Sequence, residues 1–151
     1  MSEENDMNEI VSNEFDKIRL LIITHKRIIS SGVGSVNRAN ICYNKVAYRF
    51  AKAFEQGYGV ELAKLCIKDR EPAVRYKGAY FLLPYQTLRA KTVLWQILIR
   101  KRLFFQSIPP FVAFNAEAIL TQWRKKELKF PRLINGEVKY LNIDKIKEES
   151  L

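Results

Sequence analysis

The sequence predicts an all-α domain of antiparallel helix pairs, about six helices long, that ends in a short β-hairpin or an extended tail. Three observations carry this. Apolar residues recur at three- and four-residue steps from Ile10 to Trp123, glycine and proline clusters interrupt that period at intervals suited to short loops, and only beyond Pro131 does β-prone sequence flank an Asn-Gly pair. With 151 residues, nearly half of them hydrophobic, the chain has the length and composition of one domain, 1–130, followed by a C-terminal hairpin or tail, 131–151, packed on it or extending from it.

Residues 1–7 are read as frayed. Ile10, Val11, Phe15, Ile18, Leu21 and Ile22 then share one face of a first helix, about Asn8 to Ile29, which Ser30–Ser35 breaks with small residues. The pattern Ile41, Val46, Ala47, Phe50, Ala51, Phe54 makes a second helix, closed at Gly57, where glycine accepts a left-handed cap conformation. A short third helix runs from Val60 to Ile67. In Asp69-Arg70-Glu71-Pro72 an acid can satisfy free backbone N–H groups and a proline suits the first helical turn, so a fourth helix starts there and Pro84 ends it. Pro109-Pro110 separates a fifth helix, about Gln86 to Leu103, from a sixth, about Phe111 to Lys126. Arg132 to Tyr140 reads as a ribbon turning at Asn135-Gly136, and Asp144–Leu151 as a weak helix or disorder.

The most specific stretch is Asp69 to Leu83. Val74, Ala79, Leu82 and Leu83 would fill an interhelix core, Gly78 and Ala79 would admit a close neighbour, and Arg75 would bond Asp69 or a helix-end carbonyl. This stretch, with Asp69, Pro72, Val74 and Arg75 as its motif, resembles the junction inside a HEAT-like repeat. The order from Tyr43 to Pro131 resembles a family of small bacterial HEAT-like proteins. It does so through Tyr43–Phe54, Val74-Arg75, Leu82-Leu83-Pro84, Ala90, Val93-Leu94, Phe114–Glu117, Leu120, Trp123 and Leu128–Pro131. The resemblance implies HEAT-like stacked helix pairs. Some proteins of this type stand beside toxin genes as immunity proteins, including in contact-dependent growth inhibition.

The formal charge is +10 and is unevenly spread: Lys17–Phe54 holds eight Lys or Arg and no acid, and Pro72–Ala116 seven and none. Such a field speeds encounter with a polyanion or an acidic protein face. The acidic start, Met1–Glu9, lacks the basic and apolar runs of a secretory signal, and no apolar stretch approaches the roughly 20 residues that span a bilayer, so a cytoplasmic protein without membrane contact is expected.

Side chains suited to catalysis are scarce. His25 is the sole histidine and reads as an ordinary helix residue; Cys42 and Cys66 read as core fillers; Asp69 and Glu71 as helix-start residues; Glu117 as half of a structural ion pair. Gly32-Val33-Gly34 lacks the lysine and hydroxyl of a phosphate loop and reads as a linker. No enzyme activity, metal or cofactor is therefore expected. The candidate partner-binding residues are Tyr76, Lys77 and Tyr80, one turn apart on the fourth helix, with core packing the equal alternative for one of the two tyrosines, and the basic runs Arg100-Lys101-Arg102 and Arg124-Lys125. For the runs, solvated helix ends are the plainer alternative. The favoured function is a non-catalytic immunity protein that binds a cognate toxin domain. Toxins that cut nucleic acid are usually basic, so the positive charge calls for an acidic toxin face or a contact that does not mimic substrate. The alternative is a basic nucleic-acid-binding module.

Overall fold

A computed structural model describes residues 2–31, 36–104 and 108–149, with the side chains of 102–104 and 149 outside the description. Among these residues the chain forms seven helices and one hairpin: α1 (Ser2–Ser31), α2 (Val36–Glu55), α3 (Gly59–Ile67), α4 (Pro72–Leu82), α5 (Thr87–Phe104), α6 (Pro110–Arg124), β1 (Lys129–Ile134), β2 (Glu137–Asn142) and α7 (Ile143–Glu149). It is an all-α fold with a C-terminal antiparallel hairpin, and none of the described helices is long and apolar enough to cross a membrane.

The breaks fall where backbone chemistry requires them. Gly57 takes φ +90, and the Tyr58 N–H bonds the Ala53 carbonyl five residues back, closing the end of α2. At the next corner Asp69 serves two partners: Oδ1 accepts the Glu71 N–H at 2.8 Å and Oδ2 accepts Arg19 Nε at 2.8 Å. Arg75 Nη1 reaches the carbonyls of Asp69 and Arg70 at 3.1 and 2.8 Å, so of its two expected partners it takes the backbone. Pro72 occupies the first turn of α4. Asn135 and Gly136 both have positive φ, +52 and +80, which a two-residue turn matched to the strand twist demands.

Helix α4 lies at the centre. Ala73, Val74 and every residue from Tyr76 to Leu82 are buried, and the helix packs on α1, α3, α5 and α6. The tightest approach is to α3, where a Cβ added at Gly78 would stand 2.5 Å from Cys66 Cβ and 2.8 Å from the Ala63 carbonyl oxygen. Glycine is required there for distance rather than for backbone freedom. Phe81 stacks on Phe50 of α2 at 3.9 Å between ring centroids, and Tyr80 on Phe130 of β1 at 4.9 Å.

Two elements depart from the sequence-based expectation. Helix α1 begins at Ser2, with Glu3 and Glu4 in its first turn, where the partial positive charge of the helix end favours acids. The ribbon starts at Lys129, so a boundary at 130/131 falls inside β1, and the hairpin is part of the core. Phe130 and Pro131 are fully buried, the Tyr80 hydroxyl donates to the Lys129 carbonyl, and the Arg132 guanidinium lies 3.9 Å above the Phe54 ring while Nη2 donates to the Tyr85 hydroxyl at 2.9 Å. Residues Ile143–Glu149 are helical, and Ile146 joins the same core.

A Gly78→Ala substitution will force α3 and α4 apart and destabilise the protein by about 1–3 kcal/mol, as overpacking does in close-packed interiors. Urea unfolding of the two proteins, with an unchanged slope, measures it.

Candidate functional site

The structure redistributes the expected binding residues. Tyr76, Lys77 and Tyr80 do not form a surface: all three are buried, because α4 is enclosed on every side. Arg100, Arg124 and Lys125 are exposed; Lys101 is half-buried, its Nζ donating to the Ile108 carbonyl at 3.1 Å; the Arg102 side chain lies outside the described residues, as does Gly32-Val33-Gly34. Glu117 is exposed and makes no ion pair among the described residues, contrary to the structural pair expected of it.

Lysine 77 occupies an aromatic enclosure. Its Nζ lies 4.2 Å from the Tyr43 ring centroid and 5.5 Å from that of Tyr76. With Ile22, His25, Val46, Ala73 and Phe111 these residues line a void of about 10 Å³, at most one water in size. Among the described residues no acid pairs with the ammonium. Burial therefore pushes the Lys77 amine down to about 8, and burial together with the Lys77 charge pushes the His25 imidazole below its ordinary value. Burial likewise pushes the Tyr76 phenol up to about 12 and holds the Cys66 thiol protonated. Cys66 is thus the core filler expected of it, while Cys42 is only half-buried. His25 lies half-buried with its ring 6.2 Å from that of Phe111. The void admits no substrate, and among the described residues no three His, Cys, Asp or Glu side chains stand together as a metal-ligand group.

A concavity large enough for a ligand lies beyond α4, on α5 and α6. Helices α5, α6 and α7 enclose a groove of about 1060 Å³. On α5, Ala90, Leu94 and Ile97 point inward and are fully buried, while Trp95 and Ile99 emerge on the other side, 55% and 51% exposed. On α6, Val112, Ala116 and Ile119 are buried, while Phe114, Glu117, Thr121 and Arg124 follow one another at helical steps along the groove wall, Phe114 being 72% exposed. Leu98, Ala113, Leu120, Trp123 and Leu128 form its floor. The walls also carry Lys91, Lys101, Arg124, Lys126 and Lys147 against two acids, Glu117 and Asp144.

Three acids away from the groove are held in ion pairs. Glu14 bonds Arg49 at 3.0 Å, Asp69 bonds Arg19, and Glu71 bonds Lys26 at 2.8 Å, all three fastening α1 to its neighbours. The acid-free stretch Pro72–Ala116 that supplies α5 has no such compensation.

Of the expected residues the groove thus gathers Lys101 and Arg124, and it adds Trp95, Ile99 and Phe114, to which the sequence reading gave no binding role. The available signal was the doubly apolar character of α5, too rich for one buried face. No protein-family model matches the chain, and no curated protein or solved structure matches it either.

The sign of the Lys77 contribution to stability follows from its lowered value. Between pH 8 and the ordinary 10.5 an unfolded chain keeps the lysine proton that the folded chain has released, so stability rises with pH across that window. From about pH 9 the buried Cys66 thiol, and above pH 10 the buried tyrosines, oppose the rise, since there the unfolded chain loses thiol and phenol protons that Cys66 and Tyr76 retain. We expect unfolding free energies to climb in the parent from pH 7 to about 9 and then to level, and in Lys77→Met to stay flat to about pH 8 and fall above it, where the Cys66 thiol acts unopposed. That variant should exceed the parent at pH 7 by about 1–3 kcal/mol, because an apolar side chain of similar length removes an unneutralised buried charge.

Proposed function

We propose that the chain is a non-catalytic, cytoplasmic immunity protein that sequesters a cognate toxin, and that it grips the toxin through the α5–α6–α7 groove. The observation that supports this reading is the convergence of exposed Trp95, Ile99 and Phe114 on one groove with a basic rim. Large aromatic side chains held on helices and surrounded by charge are the usual energetic centre of a protein interface. Burying them releases apolar surface from water at about 25 cal/mol per Å², whereas leaving them in water has no folding benefit for this chain.

The groove also describes its occupant. A helix of about 10 Å diameter advancing 1.5 Å per residue fills roughly 120 Å³ per residue, so the groove holds about nine residues, or two and a half turns. An amphipathic helix presenting apolar anchors between acidic residues would match both the floor and the rim. An acidic segment of this kind is the acidic toxin face that a basic immunity protein requires. The immunity role itself is supported by the resemblance of Tyr43–Pro131 to small HEAT-like proteins; the groove supports the capture of protein.

The test is purification of the tagged protein from its native cytoplasm at physiological salt with nuclease present, followed by crosslink mapping. We expect one protein at stoichiometric level, with crosslinks joining the groove to an acidic, apolar helical segment, and its loss from a Trp95→Ala, Phe114→Asp double variant. Both side chains are exposed, so the variant should unfold at the parent's urea midpoint. Recovery of nucleic acid alone, released by nuclease and by salt, would instead indicate a phosphate-binding module and overturn the reading.

A further inference from the structure

The groove asks for about nine residues of helix with acids beside apolar anchors, and one segment of this chain meets that description. Residues 2–10 of α1 contain Glu3, Glu4, Asp6 and Glu9 and no basic residue. All nine are exposed, and the first buried residue of the helix is Val11. The start of α1 is therefore exposed over about 13 Å of helix, with none of its residues buried. Glu3, Asp6, Met7 and Ile10 are related by steps of three and four and share one helix face, so the two acids border the two apolar side chains. Met7 and Ile10 are 42% and 48% exposed.

We propose that a second copy of this chain is a ligand of the groove. The α1 start of one molecule docks between α5 and α6 of another, with Met7 and Ile10 against Trp95 and Phe114 and the acids against Lys91 and Arg124. The same segment does not fill its own groove, since all of residues 2–10 are solvent-exposed within one molecule. The contact is heterologous: segment and groove are different surfaces, so either two molecules exchange segments reciprocally or the contact continues from copy to copy. This inference rests on the reading of the groove as a docking surface and adds a regulation to it. Self-association occupies the surface that the toxin needs, so free immunity protein is stored in a form that the tighter ligand dissociates.

Sedimentation velocity of the full chain tests the proposal. The parent should associate with rising concentration at about 50 mM salt, with its association constant falling at least tenfold at about 500 mM, where the Debye length is less than half as long. A Glu3→Lys, Asp6→Lys variant keeps its groove, and a Trp95→Ala, Phe114→Asp variant keeps its segment. Each should sediment as a monomer alone, and an equimolar mixture should form a dimer, because one intact segment meets one intact groove. A parent that stays monomeric at the highest concentration reached, a segment variant that still associates, or a mixture that remains monomeric each overturns the proposal. The docking reading fails separately: it falls if the groove variant still retains the stoichiometric, crosslinked protein partner, whatever the sedimentation shows.

Discussion

The burial of α4 on all sides constrains the rest of the molecule. A helix exposed to solvent along one face needs a single apolar stripe, whereas α4 presents Ala73, Val74, Tyr76, Ala79, Tyr80, Phe81 and Leu82 around its whole circumference. No single partner helix can cover such a surface. Helix α3 takes the small-residue side, approaching as closely as Gly78 permits; α5 and α6 cover a second side; α1 and α2 a third. The hairpin closes what remains, through the Tyr80–Phe130 stack and the Arg132 guanidinium over Phe54. It belongs to the core because β1 lies along α2 and reaches α4 through Tyr80.

Lysine 77 is enclosed for the same reason. With α1, α2 and α6 all supplying walls, the side chain is largely shut off from water, and the ammonium rests against the Tyr43 ring. The ring face returns part of the desolvation cost, at most about 2 kcal/mol in a desolvated setting, which is less than the loss of a hydration shell. The lowered value of the amine expresses the difference. Arg132 solves the same problem better: its planar group stacks on Phe54 and still donates to the Pro131 carbonyl and the Tyr85 hydroxyl.

The element order was legible because it is written in residues with special backbone behaviour. Gly57, Pro72, Pro84, Pro109-Pro110 and Asn135-Gly136 each mark an end or a turn that the structure shows, and the doubled role of Asp69 is an elaboration of a capping signal visible in the sequence. Facing was legible only where one side of a helix is polar. In α2, Val46, Phe50 and Ala53 are buried at helical steps, as the period implies. In α4 the period carries no facing information, since both sides are apolar, and the tyrosine pair with a lysine between them imitated an amphipathic surface. The groove was hidden for the converse reason: Trp95, Ile99 and Phe114 look like core in a linear pattern, and only the packing of Ala90, Leu94 and Ile97 onto the body shows that the other face of α5 is left over. The start of α1 was read as frayed because it lacks apolar residues to pack, yet a helix can continue past its last packed turn when its first residues are acidic.

Charge distribution and packing then combine at one place. The acids in the turn before α4 are drawn to α1, where Asp69 and Glu71 meet Arg19 and Lys26, so they do not offset the cations on the flank carrying α5 and α6, which faces only Glu117 and Asp144 among the groove residues. The same flank rests on the most deeply buried helix in the protein, which makes its backbone a firm support. Anchors projecting from such helices lose little freedom on binding, because their positions are already set by the buried side chains on the opposite face. On the proposed reading, long-range attraction by the basic rim would govern how often a complementary surface arrives, and burial of Trp95 and Phe114 how long it stays. These two requirements are met by different residues on the same two helices, so affinity and encounter rate can vary independently without disturbing the core beneath them.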